Sequence, residues 1–567
     1  MTVYSNRKAK SNNRRDSSKN SYILILLGFS FITHAEISVP DSGTIVKQLI
    51  PESLSRGSKV DQQYFDSNTT QQNYSQDQTS IWVAKVELEG NQKIETVILH
   101  DLVKHLENKN NILADLQMAT DKITQYYKDK GYFLAKAYLP KQKMDNGILR
   151  IQILEGRLDQ IFLKNHSSVN HHVINRYLKK IPKQQALERE RSNQALLYLS
   201  DLSGIGVIQA NLQAGNDIGQ TDLILDISGQ KLFQGRVGLD NAGSTYTGKY
   251  RVSGYIESQS IMGYGERISA QLLTSNQDII SGNLNAQFPI TGNGLWLGGS
   301  YSRTQYELGE QFKILDAKGT SSNYNLNLSY PLIRTQRTNL NAKLQLEKRK
   351  LFDEIAATDA QTSKQIQASR LALNFNRTDD WGIREIKGGM NQIELITTFG
   401  NLNIQSPTAL NIDSMSAKTQ GSYYKYELKL TRQQRLTQSS WLTSEVYGQL
   451  ASKNLDSSEK FSFNQMRAYP SAEGLGDQGW GSTVSFYYQL KPFLNTYLFQ
   501  DVGKIQQNKN PYLTDKNTRY LGSTGIGFGG AYRDFDYNAT VAWRDTPSAN
   551  SDQDRNPRVL LQVGWRF

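Results

Sequence analysis

The C-terminal part of the chain alternates between apolar and polar positions with a period of two. Tyr324, Leu326, Leu328 and Tyr330 are interleaved with Asn323, Asn325, Asn327 and Ser329, and Leu340, Ala342, Leu344 and Leu346 with Asn341, Lys343, Gln345 and Glu347. Tyr424, Tyr426, Leu428 and Leu430 alternate with Lys425, Glu427 and Lys429. The last run sets Val559, Leu561, Val563, Trp565 and Phe567 on one face, with Arg558, Gln562 and Arg566 on the other. Period two predicts strands with one apolar and one wet face. The pattern continues from about residue 231 to 567 with no helical interruption expected, and it ends in an aromatic residue. A soluble sandwich alternates in the same way. Strands of roughly ten residues with aromatic ends, sustained over this length, instead predict a closed membrane barrel.

Ahead of residue 231 the period changes. Residues 1–35 combine a basic stretch, the short apolar run Tyr22–Ile32 and a small residue, Ala35, which predicts a secretory signal peptide. Residues 36–56 contain a short helix, capped by Asp41 or Ser42, with Ile45, Val46, Leu49 and Ile50 on one face and Pro51 at its end. The stretch 57–80, rich in Gln, Ser, Asp, Asn and Thr, predicts a flexible linker. Two units of the order β-α-α-β-β follow, over 81–156 and 157–230. In the first, Trp82–Glu89, Tyr132–Leu139 and Ile148–Leu154 are the expected strands, and Glu95–Leu106 and Ala114–Lys130 the helices. Each unit predicts a small sheet packed on two helices.

Composition narrows the class. The mean hydropathy of −0.57 suits a barrel, in which only every second residue meets lipid. Past the leader no apolar run is long enough for a helical span. The net charge of +12 falls to +7 once the leader's six bases and one acid are set aside, and the remaining excess is scattered, which speaks against nucleic acid as a partner. Cysteine is absent, so disulfides, thiolate metal sites and cysteine nucleophiles are excluded. The histidine pairs 100/105 and 171/172 lack metal-ligand spacing, so no metal is expected. Gly243 to Lys249 nearly spells a phosphate-binding loop. Tyr250, however, stands where Ser or Thr must hold magnesium, and a strand follows instead of a helix, so neither cofactor nor nucleotide is expected.

Five motifs in order carry a resemblance. Gly131-Tyr132, Leu139-Pro140 and the run Asn146 to Arg157 resemble the end of a first POTRA domain. Leu239-Asp240-Asn241, Gly243 and Thr247-Gly248 resemble a first barrel strand, and Tyr330-Pro331-Leu332-Ile333-Arg334 a mid-barrel hairpin. Met466-Arg467-Ala468-Tyr469, with Gly476 to Trp480, resembles an extracellular loop that folds back into the lumen, and Phe499-Gln500-Asp501-Val502-Gly503 an F-x-D-x-G strand. Together they resemble the two-partner secretion transporters of the Omp85 superfamily, the class that exports haemolysins, adhesins and contact-dependent inhibition toxins. The resemblance implies a 16-stranded outer-membrane barrel in a Gram-negative bacterium, two periplasmic POTRA domains and an N-terminal plug helix. It also implies export of an unfolded exoprotein with an N-terminal secretion domain, without ATP. The remaining implied partners are outer-membrane lipid, lipopolysaccharide and the barrel assembly machinery, with the chain itself a monomer.

The same resemblance supplies candidate residues. Arg467 and Tyr469 sit on the loop tip, and Phe499 and Asp501 on the wall it reaches. Along that strand Leu494, Leu498 and Val502 fall on one face and Tyr497, Phe499 and Asp501 on the other, so the carboxylate is expected in the lumen. Alanine stands at 468 where the family's loop has glycine, and a left-handed backbone there would cost on the order of 1 kcal/mol. Cargo capture by strand addition points to Ala135, Ala137 and Leu139 on a module edge, and Phe567 to the C-terminal barrel signal. Catalytic residues are not expected, since hydrolytic barrels resemble enzymes that depend on a wall histidine and residues 231–567 contain none. A barrel-assembly insertase and a passive porin remain the alternatives. The first usually carries three or more modules, and the second needs none.

Overall fold

A computed structural model describes residues 39–49, 78–383, 386–463, 466–470, 473–514, 516–545, 549 and 555–567. The expected leader, Ile50, Pro51 and most of the expected linker lie outside the described residues. Helix α1 (Ser42–Gln48) is N-capped by Asp41, whose carboxylate accepts the Thr44 amide at 3.0 Å.

The first module contains strands β1 (Ile81–Val83), β2 (Lys85–Glu89), β3 (Lys109–Asn111), β4 (Lys136–Tyr138) and β5 (Ile148–Leu154), with helices α2 (Thr96–Val103) and α3 (Leu113–Asp129). Its three-stranded sheet runs β2-β5-β4. Leu149, Ile151 and Ile153 alternate inward from β5 onto Leu116, Ala119, Ile123 and Tyr127 of α3, the period-two and period-3.6 faces of one core. The predicted strand Trp82–Glu89 is broken at Ala84, whose amide bonds to the Gly147 carbonyl, and β1 leaves to pair with β3. The predicted strand Tyr132–Leu139 shrinks to β4, because Phe133 and Ala135 donate their amides within a turn, to Gly131 and Tyr132.

The second module repeats the three-stranded sheet without a counterpart of the β1–β3 pair among the described residues, with β6 (Arg157–Asn165), α4 (His171–Leu178), α5 (Arg189–Ser200), β7 (Ile205–Ala214) and β8 (Gln220–Gly229), its sheet running β6-β8-β7. It packs on one end of the barrel. Arg334, from the predicted hairpin motif, grips Asp201 beyond α5 with two bonds of 2.7 and 2.9 Å, and the Asn170 amide donates to the Gly263 carbonyl.

Sixteen antiparallel strands close the barrel. The first, Phe233–Asp240, pairs with Arg251–Gln259 on one side and with the last, Arg558–Arg566, on the other. That closing seam is held over five residue pairs, Gln562 with Asp240 through Arg566 with Arg236. The first-strand motif straddles an element boundary: the strand stops at Asp240, and Asn241 to Gly248 form the following loop. Four middle strands, from Ala317–Arg334 to Ile386–Ile404, are 18 to 24 residues long. At about 3.3 Å per residue they exceed the ~30 Å hydrocarbon core and project beyond it. One expectation fails here. The helix Pro407–Met415, started by proline at its first position, interrupts residues 231–567 in a loop at the end far from the modules.

Candidate functional site: the barrel lumen

Polar residues of the long strands turn inward and meet two segments that enter the lumen: α1 and the loop spanning 452–477. The amide and hydroxyl of Ser42 donate to the Asp353 carboxylate at 2.7 and 2.9 Å, and Tyr306 donates to the same carboxylate at 2.7 Å. Asp41 accepts the Ser457 hydroxyl of the loop at 2.7 Å and lies 3.1 Å from Lys364 of the wall. Lys364 is simultaneously 2.9 Å from Asp456, at the base of the same loop. Glycine at 43 permits this approach, since a Cβ there would stand 2.2 Å from the Ser457 hydroxyl. Of the four predicted apolar positions, Ile45 is fully buried among Tyr246, Ile279, Tyr306, Leu308, Phe312 and Ala317, and Leu49 packs against the same cluster. Val46 is half-buried outside it, and Ile50 lies outside the described residues.

Beneath α1 a charge network holds the loop's base. Glu459, fully buried, lies 3.1 Å from Arg349, 2.8 Å from Arg370 and 3.2 Å from Lys425. Glu347 pairs with Arg349 at 2.5 Å and also with Arg370. A buried carboxylate survives only with such compensation.

The loop tip reaches the opposite wall. Arg467 Nη2 lies 2.8 Å from Asp501 Oδ1 and its Nε 3.2 Å from Oδ2, a two-point fork, with the Ser523 hydroxyl donating to Oδ2 at 2.8 Å. The guanidinium also lies 3.5 Å from the centre of the Phe499 ring. Asp501 is 1% exposed and the Arg467 side chain 20%. Tyr469 is buried; Arg544 donates to the Ala468 carbonyl at 2.9 Å, and Arg558 donates to that of Tyr469. Ala468 is fully buried and does not adopt a positive φ, so the absence of glycine costs no left-handed strain. Glycine is required instead in the wall at 503, where a Cβ would stand 1.8 Å from the Phe463 ring of the loop.

The structure brings Arg467, Tyr469, Phe499 and Asp501 together. It does not leave the proposed capture edge free. Ala135 and Leu139 fall outside β4, and the Ala137 amide is taken by the Thr124 hydroxyl of α3 at 3.0 Å, so the helix covers that edge. At the sheet's other edge, β2, the Glu107 carboxylate accepts the Val86 amide at 2.8 Å. That bond, with the His100 imidazole beside it, holds Glu107 below the usual carboxylate range. The β7 edge of the second module pairs with no further strand among the described residues. Phe567 lies at the seam, exchanging backbone bonds of 3.1 and 3.2 Å with Gly235.

Sequence reasoning did not single out Lys364, Asp353, Asp456 or the Glu459 network. Charges on the polar face of the strands, such as Glu347 and Lys425, were the available signal; the two loop acids had none, because loop residues follow no period.

Comparison with known proteins agrees with this architecture. Residues 219–530 match the haemolysin secretion/activation protein family ShlB/FhaC/HecB, and residues 81–156 match the ShlB-type POTRA domain. The chain is 27% identical over 450 residues to the heme/hemopexin transporter protein HuxB of Haemophilus influenzae strain 86-028NP, covering 77% of this chain and 78% of that one. It is 22% identical over 465 residues to the outer membrane transporter CdiB of Dickeya dadantii, covering 77% and 78%. CdiB from Escherichia coli shares the fold with a TM-score of 0.67 at 17% identity, over 88% of this chain and 93% of that one. CdiB from Acinetobacter baumannii follows at 0.61 and 15%, over 89% and 94%. A closed barrel with periplasmic POTRA modules and a loop-filled lumen defines an outer-membrane transporter of two-partner secretion. The chain belongs to the ShlB/FhaC/HecB family and moves a secreted partner protein across the outer membrane.

Proposed function

We propose that the partner crosses unfolded through a lumen that α1 closes at rest and that the 452–477 loop shapes. The observation that carries this reading is the sharing of wall groups between α1 and permanent neighbours. When α1 leaves, Lys364 keeps Asp456 and Asp353 keeps the Tyr306 hydroxyl, so neither charge is stranded. Only Ile45 of the described helix is a fully buried apolar side chain, which keeps the loss of apolar burial small, at roughly 1.5–3 kcal/mol. The linker 57–80, fully extended, reaches roughly 80 Å, well past the ~30 Å core, so the plug departs without detaching.

Transport is non-enzymatic in this reading, with cargo folding outside biasing the movement. The β7 edge captures an extended cargo segment by strand addition. The higher identity to the heme/hemopexin transporter protein HuxB, 27% against 22% for CdiB over similar lengths, favours a partner that serves heme/hemopexin handling over a toxin. A secretome with and without this chain identifies the cargo. Deleting residues 36–56 is expected to raise single-channel conductance in planar bilayers without abolishing export. Unchanged conductance would remove the plug.

A further inference from the structure

The outer wall carries a feature that export does not use. Where the strands Trp296–Glu307, Ala317–Arg334, Thr338–Ile355, Ala360–Ile383 and Ile386–Ile404 leave the apolar band, the outward residues change character between adjacent rows. One row reads Leu326, Leu346, Ser369, Phe399, Tyr424 across neighbouring strands. The next row toward the far end reads Tyr301, Tyr324, Lys348, Gln367, Asn401, and the one beyond it Arg303, Ser322, Lys350, Gln365, Asn403. Each step is two residues, about 7 Å along a strand.

Arg303, Lys348 and Lys350 are exposed, and among the described residues no carboxylate forms an ion pair with any of them. The nearest acids on the same outward face, Glu307 and Glu354, lie two rows further out, and Glu354 already faces Lys318 at 3.8 Å. In the same row as Lys348, the Tyr301 and Tyr324 rings pack with centroids 4.9 Å apart. From Tyr324 the wall is concave. A hollow of about 940 Å³ has Lys348, Gln367 and Asn401 on its polar side and Leu326, Leu346 and Phe399 on its apolar side. On the opposite wall the corresponding outward cation, Lys504, is alone and stacks on Tyr520 at 5.4 Å.

We propose that this hollow binds a phosphorylated acyl glycolipid of the outer leaflet, the lipopolysaccharide anchor. Its acyl chains lie on Leu326, Leu346 and Phe399, and its phosphates sit against Arg303, Lys348 and Lys350. The rows place an apolar floor and a cationic rim one pleat apart, which a lipid with an anionic headgroup meets and a free anion does not. Unpaired cations at a lipid boundary gain from an anionic surface, and the guanidinium suits phosphate in a two-point fork.

The test uses the full chain purified in detergent, with diphosphoryl lipid A as the probe and native mass spectrometry as the readout. The wild type is expected to retain lipid A. The triple variant Arg303→Gln, Lys348→Gln, Lys350→Gln should bind it at least about tenfold more weakly, while Lys504→Gln binds as the wild type does. Heat-modifiable gel mobility checks that the variants are folded. Phosphate-free lipid A should bind the wild type with a similar loss, and this arm needs no variant. Equal binding of both lipids, or full retention by the folded triple variant, overturns the site. Complete displacement of lipid A by millimolar inorganic phosphate would reduce it to an anion site and overturn it equally.

Discussion

At the scale of single residues, the lumen depends on carboxylates that are each held by more than one partner. Asp501 has the Arg467 fork and the Ser523 hydroxyl. Breaking a buried pair by removing one member costs ~3–5 kcal/mol, and the remaining hydroxyl should keep the cost here below that range. Arg467→Ala and Asp501→Asn are each expected to lower export sharply while the barrel stays folded on gels. The double variant should fall no further, because both changes sever one contact. Additive losses would mean that the two residues act separately. Asp456→Asn tests the other end of the loop. Asparagine retains the cap on the Ser458 amide but removes the charge that Lys364 falls back on, so openings in planar bilayers should become rarer; an unaltered open fraction would contradict the shared-cation account. Arg467 and Asp501 were legible because a loop motif and a period-two strand flagged them. Lys364 and Glu459 were not, because what matters is which charges meet across the lumen, and one sequence does not carry that.

At the scale of elements, period identified what was long and amphipathic. Strand β5 runs over Ile148–Leu154, as its alternation predicts, and α3 over Leu113–Asp129 against an expected Ala114–Lys130. Short polar elements escaped. Strand β3 is Lys109–Asn111, with no apolar alternation to reveal it, and β4 lost its first residues to a turn that local hydrogen bonds decide. That loss is why β7 is the edge proposed for capture. Of the adjacent residues Ala210 and Asn211, one amide faces β8 and the other faces outward. Proline at the outward one should leave the module folded by circular dichroism and weaken cargo binding, whereas proline at the other should unfold the sheet edge. Normal binding by both folded variants would eliminate strand addition at β7.

At the scale of the whole molecule, three parts are joined by a few specific contacts. The second module is fastened to the barrel mouth through Arg334 and Asp201. The 452–477 loop links α1 to the wall, touching its N-cap Asp41 through Ser457 and the far strands through Arg467. The barrel itself was legible almost throughout, since the period-two alternation runs along its long strands. Helix α1 was legible from its own residues only as a helix, and its place in the lumen was implied by the resemblance alone, because that place depends on long-range partners such as Asp353. The absence of cysteine makes the proposed passage of cargo through the space α1 occupies directly testable. Ser42→Cys with Asp353→Cys replaces a contact of 2.7–2.9 Å by a bond that pins α1 to the wall. Export of the partner should stop when the pair is oxidised and return on reduction; export at the same rate in both states would contradict the account.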